Sequence, residues 1–291
     1  MTHKIALGSA QWGMNYGISN TEGKPRTGEV KKILELAKKN GVDLIDTAYL
    51  YGDAESMLGK FNINSYRVVT KIPRLSKNKI TTKVKKELLK TFKNSLQRMK
   101  LDRVYGLLIH NSDEIFLNGS EYLIEALNEL KQEKLVKKIG VSLYDNDRIE
   151  AIISSLSPDI VQLPLNVFDQ RFLKDGTLKY LKQEGIEIHS RSVFLQGLLL
   201  MDYQKIPTYF EKWSGRIKLW RQACEMQGFS HLEAALNFVQ NIKQVDNIII
   251  GFENGYQFKQ CLDFSMSKRK FDSTDLASND LEFINPTYWK V

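Results

Sequence analysis

The sequence predicts a single (β/α)8 barrel, and three observations carry that reading. Eight short apolar runs alternate with longer amphipathic runs along the whole chain, the pattern of parallel strands joined by helices. The chain has 291 residues, a length that suits one such barrel. No Gly-x-Gly-x-x-Gly follows the first run, which disfavours the runner-up, an open doubly wound sheet. Composition does not shift along the chain, and no linker rich in Gly, Ser or Pro interrupts it, so residues 1–291 are read as one domain.

Taken in order, strands are expected at 4–10, 42–48, 67–73, 103–110, 138–143, 159–166, 186–192 and 247–251. Seven of these runs are dense in Val, Ile, Leu and Tyr, which favour a pleated, buried surface; the first is weaker. Helical periodicity follows each strand, near 29–40, 53–60, 79–100, 120–134, 145–155, 169–184, 208–241 and 255–267. The seventh stretch is long enough for more than one helix. Two stripes are clear. Val30, Ile33, Leu34 and Ala37 recur at helical spacing, as do Val84, Leu88, Phe92, Leu96 and Met99.

The composition, 42% hydrophobic and 26% charged, excludes a disordered or fibrous chain. No run approaches the roughly 20 apolar residues of a membrane span. The opening residues hold no apolar leader core, so a cytoplasmic protein is expected. Cys224 and Cys261 offer neither a disulfide framework nor metal spacing and are read as small buried hydrophobes. The net charge of +8 raises the question of nucleic acid. Lys31, Lys32, Lys38 and Lys39 fall off the apolar stripe, however, so the excess reads as solvated helix faces, and no nucleic-acid partner is expected. Positive potential could still draw in anionic substrates.

In a barrel of this kind chemistry sits at the C-terminal ends of the strands. Asp46, Tyr51, Lys71 and His110 come from three neighbouring strand ends, with Ser142, Gln162 and Asn166 further round the rim. Singly, each has an ordinary reading: a helix cap, a half-buried aromatic, a rim lysine, a loop histidine. Together they fit one mechanism. A Tyr hydroxyl is a poor acid at neutral pH. A buried ammonium beside it stabilises the phenolate and is expected to lower its pKa, an Asp holds the ammonium in place, and a His orients a carbonyl.

Asp46-Thr47-Ala48-Tyr49-Leu50-Tyr51-Gly52 resembles the Asp-x-Ala-x-x-Tyr-Gly of the aldo-keto reductases. Val68-Val69-Thr70-Lys71, Leu107-Leu108-Ile109-His110, Gly140-Val141-Ser142, Val161 to Asn166, Gln196-Gly197-Leu198-Leu199 and Ile248 to Gly251 are similar to later family stretches, so the likeness spans nearly the whole chain. The resemblance implies an NADP(H)- or NAD(H)-dependent carbonyl reductase, acting on an aldehyde, ketone or sugar without a metal, and by default a monomer. It implies Asp46, Tyr51, Lys71 and His110 as the catalytic tetrad, with Tyr51 as proton donor. Ser142 and Gln162 would hold the nicotinamide carboxamide, with Asn166 beside them. Departures from the pattern bear on the cofactor. Leu143 stands where an Asn often follows the Ser. Arg191 stands where a Tyr often stacks on the nicotinamide, and it could instead reach the pyrophosphate. Gly251-Phe252-Glu253-Asn254 replaces the cations that grip a 2′-phosphate, so Glu253 is expected to weaken the preference for NADP over NAD. A floor-plugging N-terminal hairpin is not evident.

The first loop, with Tyr16-Gly17-Ile18-Ser19-Asn20-Thr21-Glu22-Gly23-Lys24-Pro25, is long and polar, and it resembles a bacterial branch of the same family. It points to a hydroxylated substrate, a sugar or nucleotide-linked sugar, with Trp12, Tyr16, Tyr49, Trp213 and Trp220 as candidate wall aromatics. The spacing of Trp213 and Trp220 favours helix packing for those two. The segment 285–289 either covers the rim or packs elsewhere. Two other functions remain open at this level: an aldolase using Lys71 as a Schiff base, and a dinucleotide-binding regulator without turnover.

Overall fold

The computed structural model of the protein describes residues 4–75, 79–267 and 269–290. Residues 1–3, on which the expectation of a leaderless start partly rests, lie outside the described residues. Eight parallel strands close a barrel in sequence order: β1 Ile5–Gly8, β2 Leu44–Asp46, β3 Arg67–Lys71, β4 Val104–Ile109, β5 Val136–Ser142, β6 Ile160–Pro164, β7 Glu187–Arg191 and β8 Asn247–Gly251. Closure runs from Ile5 opposite Ile248 to Gly8 opposite Gly251.

The alternation of side chains along a strand turns this register into layers. Ala6, Leu44, Val69, Leu108, Ile160 and Ile249 form a small apolar cluster of their own inside the barrel. Two residues further along the same strands stand Gly8, Asp46, Lys71, His110, Gln162 and Gly251. The pleat therefore carries Asp46, Lys71, His110 and Gln162 to one rim. The intervening residues face outward and pack with the helices in the main core.

Two residues back along the strands the barrel floor is polar. The Glu187 carboxylate accepts from Lys138 at 2.5 Å, Tyr105 at 2.7 Å and Asn247 at 2.9 Å, and lies 2.8 Å from His189 Nε2. Burial opposes its ionisation, but bonds from His189, Lys138 and Tyr105 hold Glu187 well below the usual carboxylate range.

The helices follow the periodicity, with identifiable breaks. Thr27–Lys39 buries Val30, Ile33, Leu34 and Ala37, and its lysines Lys31, Lys32, Lys38 and Lys39 are exposed. Thr82–Met99 starts at Thr81, whose hydroxyl accepts from the Val84 amide, and it ends at Lys100 in the left-handed region. The stretch expected near 169–184 divides at Gly176 into Arg171–Lys174 and Thr177–Gln183. That expected near 208–241 divides into Thr208–Trp213, Ser214–Met226 and His231–Gln240, the last capped by Ser230. The C-terminal segment packs on the first of these three. Trp289 meets Phe210 edge-on at 4.8 Å, and Tyr209 donates to the carbonyls of Glu282 and Tyr288. No described helix is long and apolar enough to cross a membrane.

Candidate active site

Asp46 ends β2 and Lys71 ends β3, both almost fully buried. Lys71 Nζ lies 2.8 and 2.7 Å from the two Asp46 oxygens, 3.0 Å from the Thr47 carbonyl and 3.3 Å from the Tyr51 hydroxyl. An ammonium with acceptors on every side has no lone pair free to attack a carbonyl, which argues against the Schiff-base reading.

Tyr51 is delivered by a tight turn that only glycine permits. Gly52 has φ +54°, and a Cβ there would stand 2.4 Å from the Gly13 carbonyl oxygen. A Cβ on Gly13 would in turn stand 1.8 Å from the Tyr51 carbonyl oxygen. Close approach of these two backbones docks the Tyr51 turn onto the short helix Ala10–Gly13. His110, just past β4, meets the Tyr51 ring edge-on at 5.9 Å.

The electrostatics assign protonation states. Burial, reinforced by Asp46, raises the Tyr51 phenol above its ordinary value, and Arg191 only partly offsets this. The expected lowering by Lys71 is therefore corrected. Asp46 meets the lysine charge with two oxygens, so the pair presents little net positive charge to the phenol, and burial wins. Burial also lowers Lys71, against the opposing pull of Asp46. His110 is pushed down to about 3 by burial and by the cations Lys71, Arg74 and Arg191. The resting site therefore holds a protonated phenol and a neutral imidazole at neutral pH.

The other sequence candidates separate into two groups. Gln162 Nε2 donates to Asp46 Oδ1 at 2.7 Å, while its Oε1 is buried with no partner among the described residues. Ser142 is buried opposite Gln162 in the β5–β6 register. Gly8 and Gly251 lie side by side, and a Cβ on Gly251 would collide with the Gln11 side chain. Arg191 donates to the Leu143 carbonyl at 2.9 Å, and its guanidinium lies 4.2 Å over the Tyr144 ring. That leaves one face of the guanidinium covered. Asn166, by contrast, is committed to the backbone. Its amide donates to the Ser192 carbonyl at 3.1 Å and its oxygen accepts from the Phe168 and Asp169 amides at 3.0 Å each. Glu253 pairs with Gln257 through two bonds of 2.9 and 3.1 Å.

A cleft of about 1160 Å³, counting the part open to solvent, opens beside Asp46, Tyr51 and Arg191; Lys71, His110, Ser142, Gln162 and Asn166 stand behind its lining. It runs from Asp46 and Tyr51 past Arg191 and the β7 loop to Gly251, Glu253 and Gln257, under Tyr16, Gly17 and Ser19 of the first loop. Of the aromatics expected to wall it, Tyr16 lines it. Trp12 is buried and donates to the Phe252 carbonyl, Arg98 covers Tyr49, and Trp213 and Trp220 pack among Phe283, Phe168 and Phe271.

A model of the Aldo/keto reductase family matches residues 4–280. The chain belongs to the aldo/keto reductase family. It is 31% identical over 185 residues to the methylglyoxal reductase DkgB of Escherichia coli O157:H7, covering 60% of this chain and 63% of that one. It is 27% identical over 223 residues to an NADH-specific methylglyoxal reductase of Escherichia coli K12, covering 66% and 64%. The matches thus span less than two thirds of either relative. An aldo-keto reductase of Bacillus halodurans in its holo form superposes with TM-score 0.71 at 18% identity, covering 94% of this chain and 89% of its own. A glycerol dehydrogenase of Gluconobacter oxydans does so with TM-score 0.68 at 19% identity, over 97% and 92%. Both show the same barrel.

Two groups at this aldo/keto reductase site escaped the sequence reading. Tyr144 supports Arg191 and stands one residue beyond the departure at Leu143. Buried Glu55 accepts from Thr70 at 2.9 Å and from Arg98 at 2.6 Å, anchoring β3 from behind. A lone acid in a short helical pattern gives no sequence signal for that role.

Proposed function

We propose that the protein reduces the carbonyl of a small organic molecule with hydride from NADP(H) or NAD(H), with Tyr51 supplying the proton. The observation that carries this reading is the buried chain Asp46–Lys71–Tyr51, with His110 against the Tyr51 ring, at the head of one cleft. A bound dinucleotide supplies hydride to the carbonyl carbon. Tyr51, protonated at rest, gives its hydroxyl proton to the carbonyl oxygen. The Lys71 ammonium stabilises the phenolate left behind, and Asp46 keeps the ammonium charged and placed. Neutral His110 can donate one hydrogen bond to the same carbonyl oxygen and so orient it.

The residues present fit a nicotinamide dinucleotide. Gln162 Oε1 is a buried acceptor without a partner, suited to a carboxamide N–H, with Ser142 beside it. Gly8 and Gly251 leave the rim low where side chains would obstruct it. Arg191 has no acidic partner among the described residues and suits the nicotinamide ring or the pyrophosphate. Asn166 supports the site by holding the β7 loop. Glu253 lines the far end of the cleft, where it opposes a 2′-phosphate, and the NADH-specific relative agrees with NADH use. The methylglyoxal reductases among the relatives support a small aldehyde as substrate, and sugars or sugar nucleotides belong to the same proposal. The test is dinucleotide oxidation by the purified protein across a panel of small 2-oxoaldehydes, hydroxyaldehydes and sugars. Turnover with at least one supports the reading. Tight dinucleotide binding with no turnover across the panel would contradict it and favour the regulator.

A further inference from the structure

Tyr16 belongs to the first loop, which the mechanism above leaves without a role. The loop is built to hold a fixed shape. Asn20 organises it from within: its side-chain oxygen accepts from the Glu22 and Gly23 amides, and its amide donates to the Tyr16 and Gly23 carbonyls. The Ile18 amide donates to the Gln196 carbonyl at 3.1 Å, which pins the loop to the β7 loop. Ser19 packs so tightly on Gly197 that a Cβ there would stand 1.8 Å from its Oγ. The partner segment is itself held in an uncommon conformation, with Leu195 and Gln196 at φ +47° and +52°. Such backbone persists where its surroundings enforce it.

This double anchoring places the Tyr16 phenol on the cleft wall beside Tyr51. No hydrogen bond from the described residues reaches its hydroxyl. The Tyr16 side chain is 37% exposed, but its hydroxyl end sits against the cleft, where desolvation and the neighbouring Tyr51 push it up to about 12, with Arg191 pulling the other way, so it stays a donor at neutral pH. The same wall carries Ser9, whose buried Oγ has no partner among the described residues, and the uncharged side chains of Gln11, Ser19 and Gln196. A reacting carbonyl oxygen must sit at the Tyr51 hydroxyl. A substrate held there would share the cleft wall with the Tyr16 phenol.

We propose that Tyr16 is a specificity-determining residue of this site, its hydroxyl bonding an oxygen on the carbon adjacent to the reacting carbonyl. The substrates so selected are 2-hydroxy- and 2-oxo-carbonyl compounds. The inference rests on the carbonyl-reductase reading above and adds the ligand group that the free phenol recognises. A site that hydrogen-bonds a substrate oxygen discriminates against the analogue lacking it.

Three aldehydes of one carbon skeleton test this: propanal, 2-hydroxypropanal and 2-oxopropanal. The parent protein should turn over both oxygenated aldehydes with higher kcat/KM than propanal. Tyr16→Phe should lower kcat/KM for the oxygenated pair by about tenfold, mainly through KM, and leave propanal within about twofold. The dissociation constant of the dinucleotide and the melting temperature should stay at the parent values. An equal fall for all three aldehydes, or no fall for the oxygenated pair, overturns the role of Tyr16 while leaving the reductase reading intact. A parent that reduces none of the three, nor any carbonyl, overturns both.

Discussion

At the scale of single residues, the decisive contest is between burial and charge. Lys71 supplies a positive charge 3.3 Å from the Tyr51 hydroxyl, yet the phenol is raised, because desolvation and the Asp46 charge outweigh it. Lys71→Met should therefore leave Asp46 as an uncompensated buried acid and destabilise the protein by about 3–5 kcal/mol, measured by denaturant unfolding. An unchanged midpoint would mean that the pair is not closed as described. His110 gives a second test. Its pKa is depressed to about 3 in the folded protein, against an ordinary imidazole value of 6.5. The unfolded chain therefore takes up a proton that the folded chain refuses, and stability present above pH 6.5 is lost as pH falls toward 3. His110→Gln should flatten that part of the stability–pH curve. That Asp46, Tyr51, Lys71 and His110 meet was legible in sequence because each stands at or just beyond a strand end. The direction at Tyr51 was not, since it depends on how completely Asp46 encloses Lys71, a three-dimensional property.

Among the elements, the strands were legible within two or three residues at each end because a parallel barrel buries both faces of every strand. The helix breaks were less legible. Gly176 and Gly228 interrupt stretches whose apolar periodicity runs on past them, and a glycine inside a helical pattern does not announce which way the chain will turn. Loop chemistry was the hardest to read. Asn166 carries a motif that resembles a cofactor ligand, but two of its bonds shape its own β6 loop and the third ties that loop to the β7 loop. Asn166→Ala should leave two buried amides without acceptors, at roughly 1–3 kcal/mol each, and should lower the melting temperature whether or not dinucleotide is present. A variant of parent stability with weakened dinucleotide binding alone would return Asn166 to the direct-contact role.

For the whole molecule, charge sets the outcome at the cofactor end. The net charge of +8 favours anionic ligands in general, whereas Glu253, on the proposed placement of the dinucleotide, would oppose a 2′-phosphate locally. A carboxylate near a phosphate costs on the order of 1 kcal/mol when partly solvated, close to a tenfold change in affinity. Both dinucleotides should therefore bind, and Glu253→Arg should shift the NADPH-to-NADH ratio of dissociation constants toward NADPH at fixed salt. A parent ratio favouring NADPH by several hundredfold would place Glu253 away from the ribose. The alternation of side chains explains why so much of this was readable: one pleat period separates the apolar plug from the reactive rim, so register and chemistry share a single pattern. The loops that roof the cleft follow no such period, which is why the seat of Tyr16 and the support of Arg191 by Tyr144 emerge only in three dimensions.

The central claim, that Tyr51 gives the proton, is tested most directly by single-turnover reduction of 2-oxopropanal by protein preloaded with NADPH or NADH. Tyr51→Phe should bind the dinucleotide with the parent dissociation constant and lose about 10²–10⁴-fold in the rate of its oxidation. A Tyr51→Phe protein that oxidises bound dinucleotide at the parent rate would contradict the account.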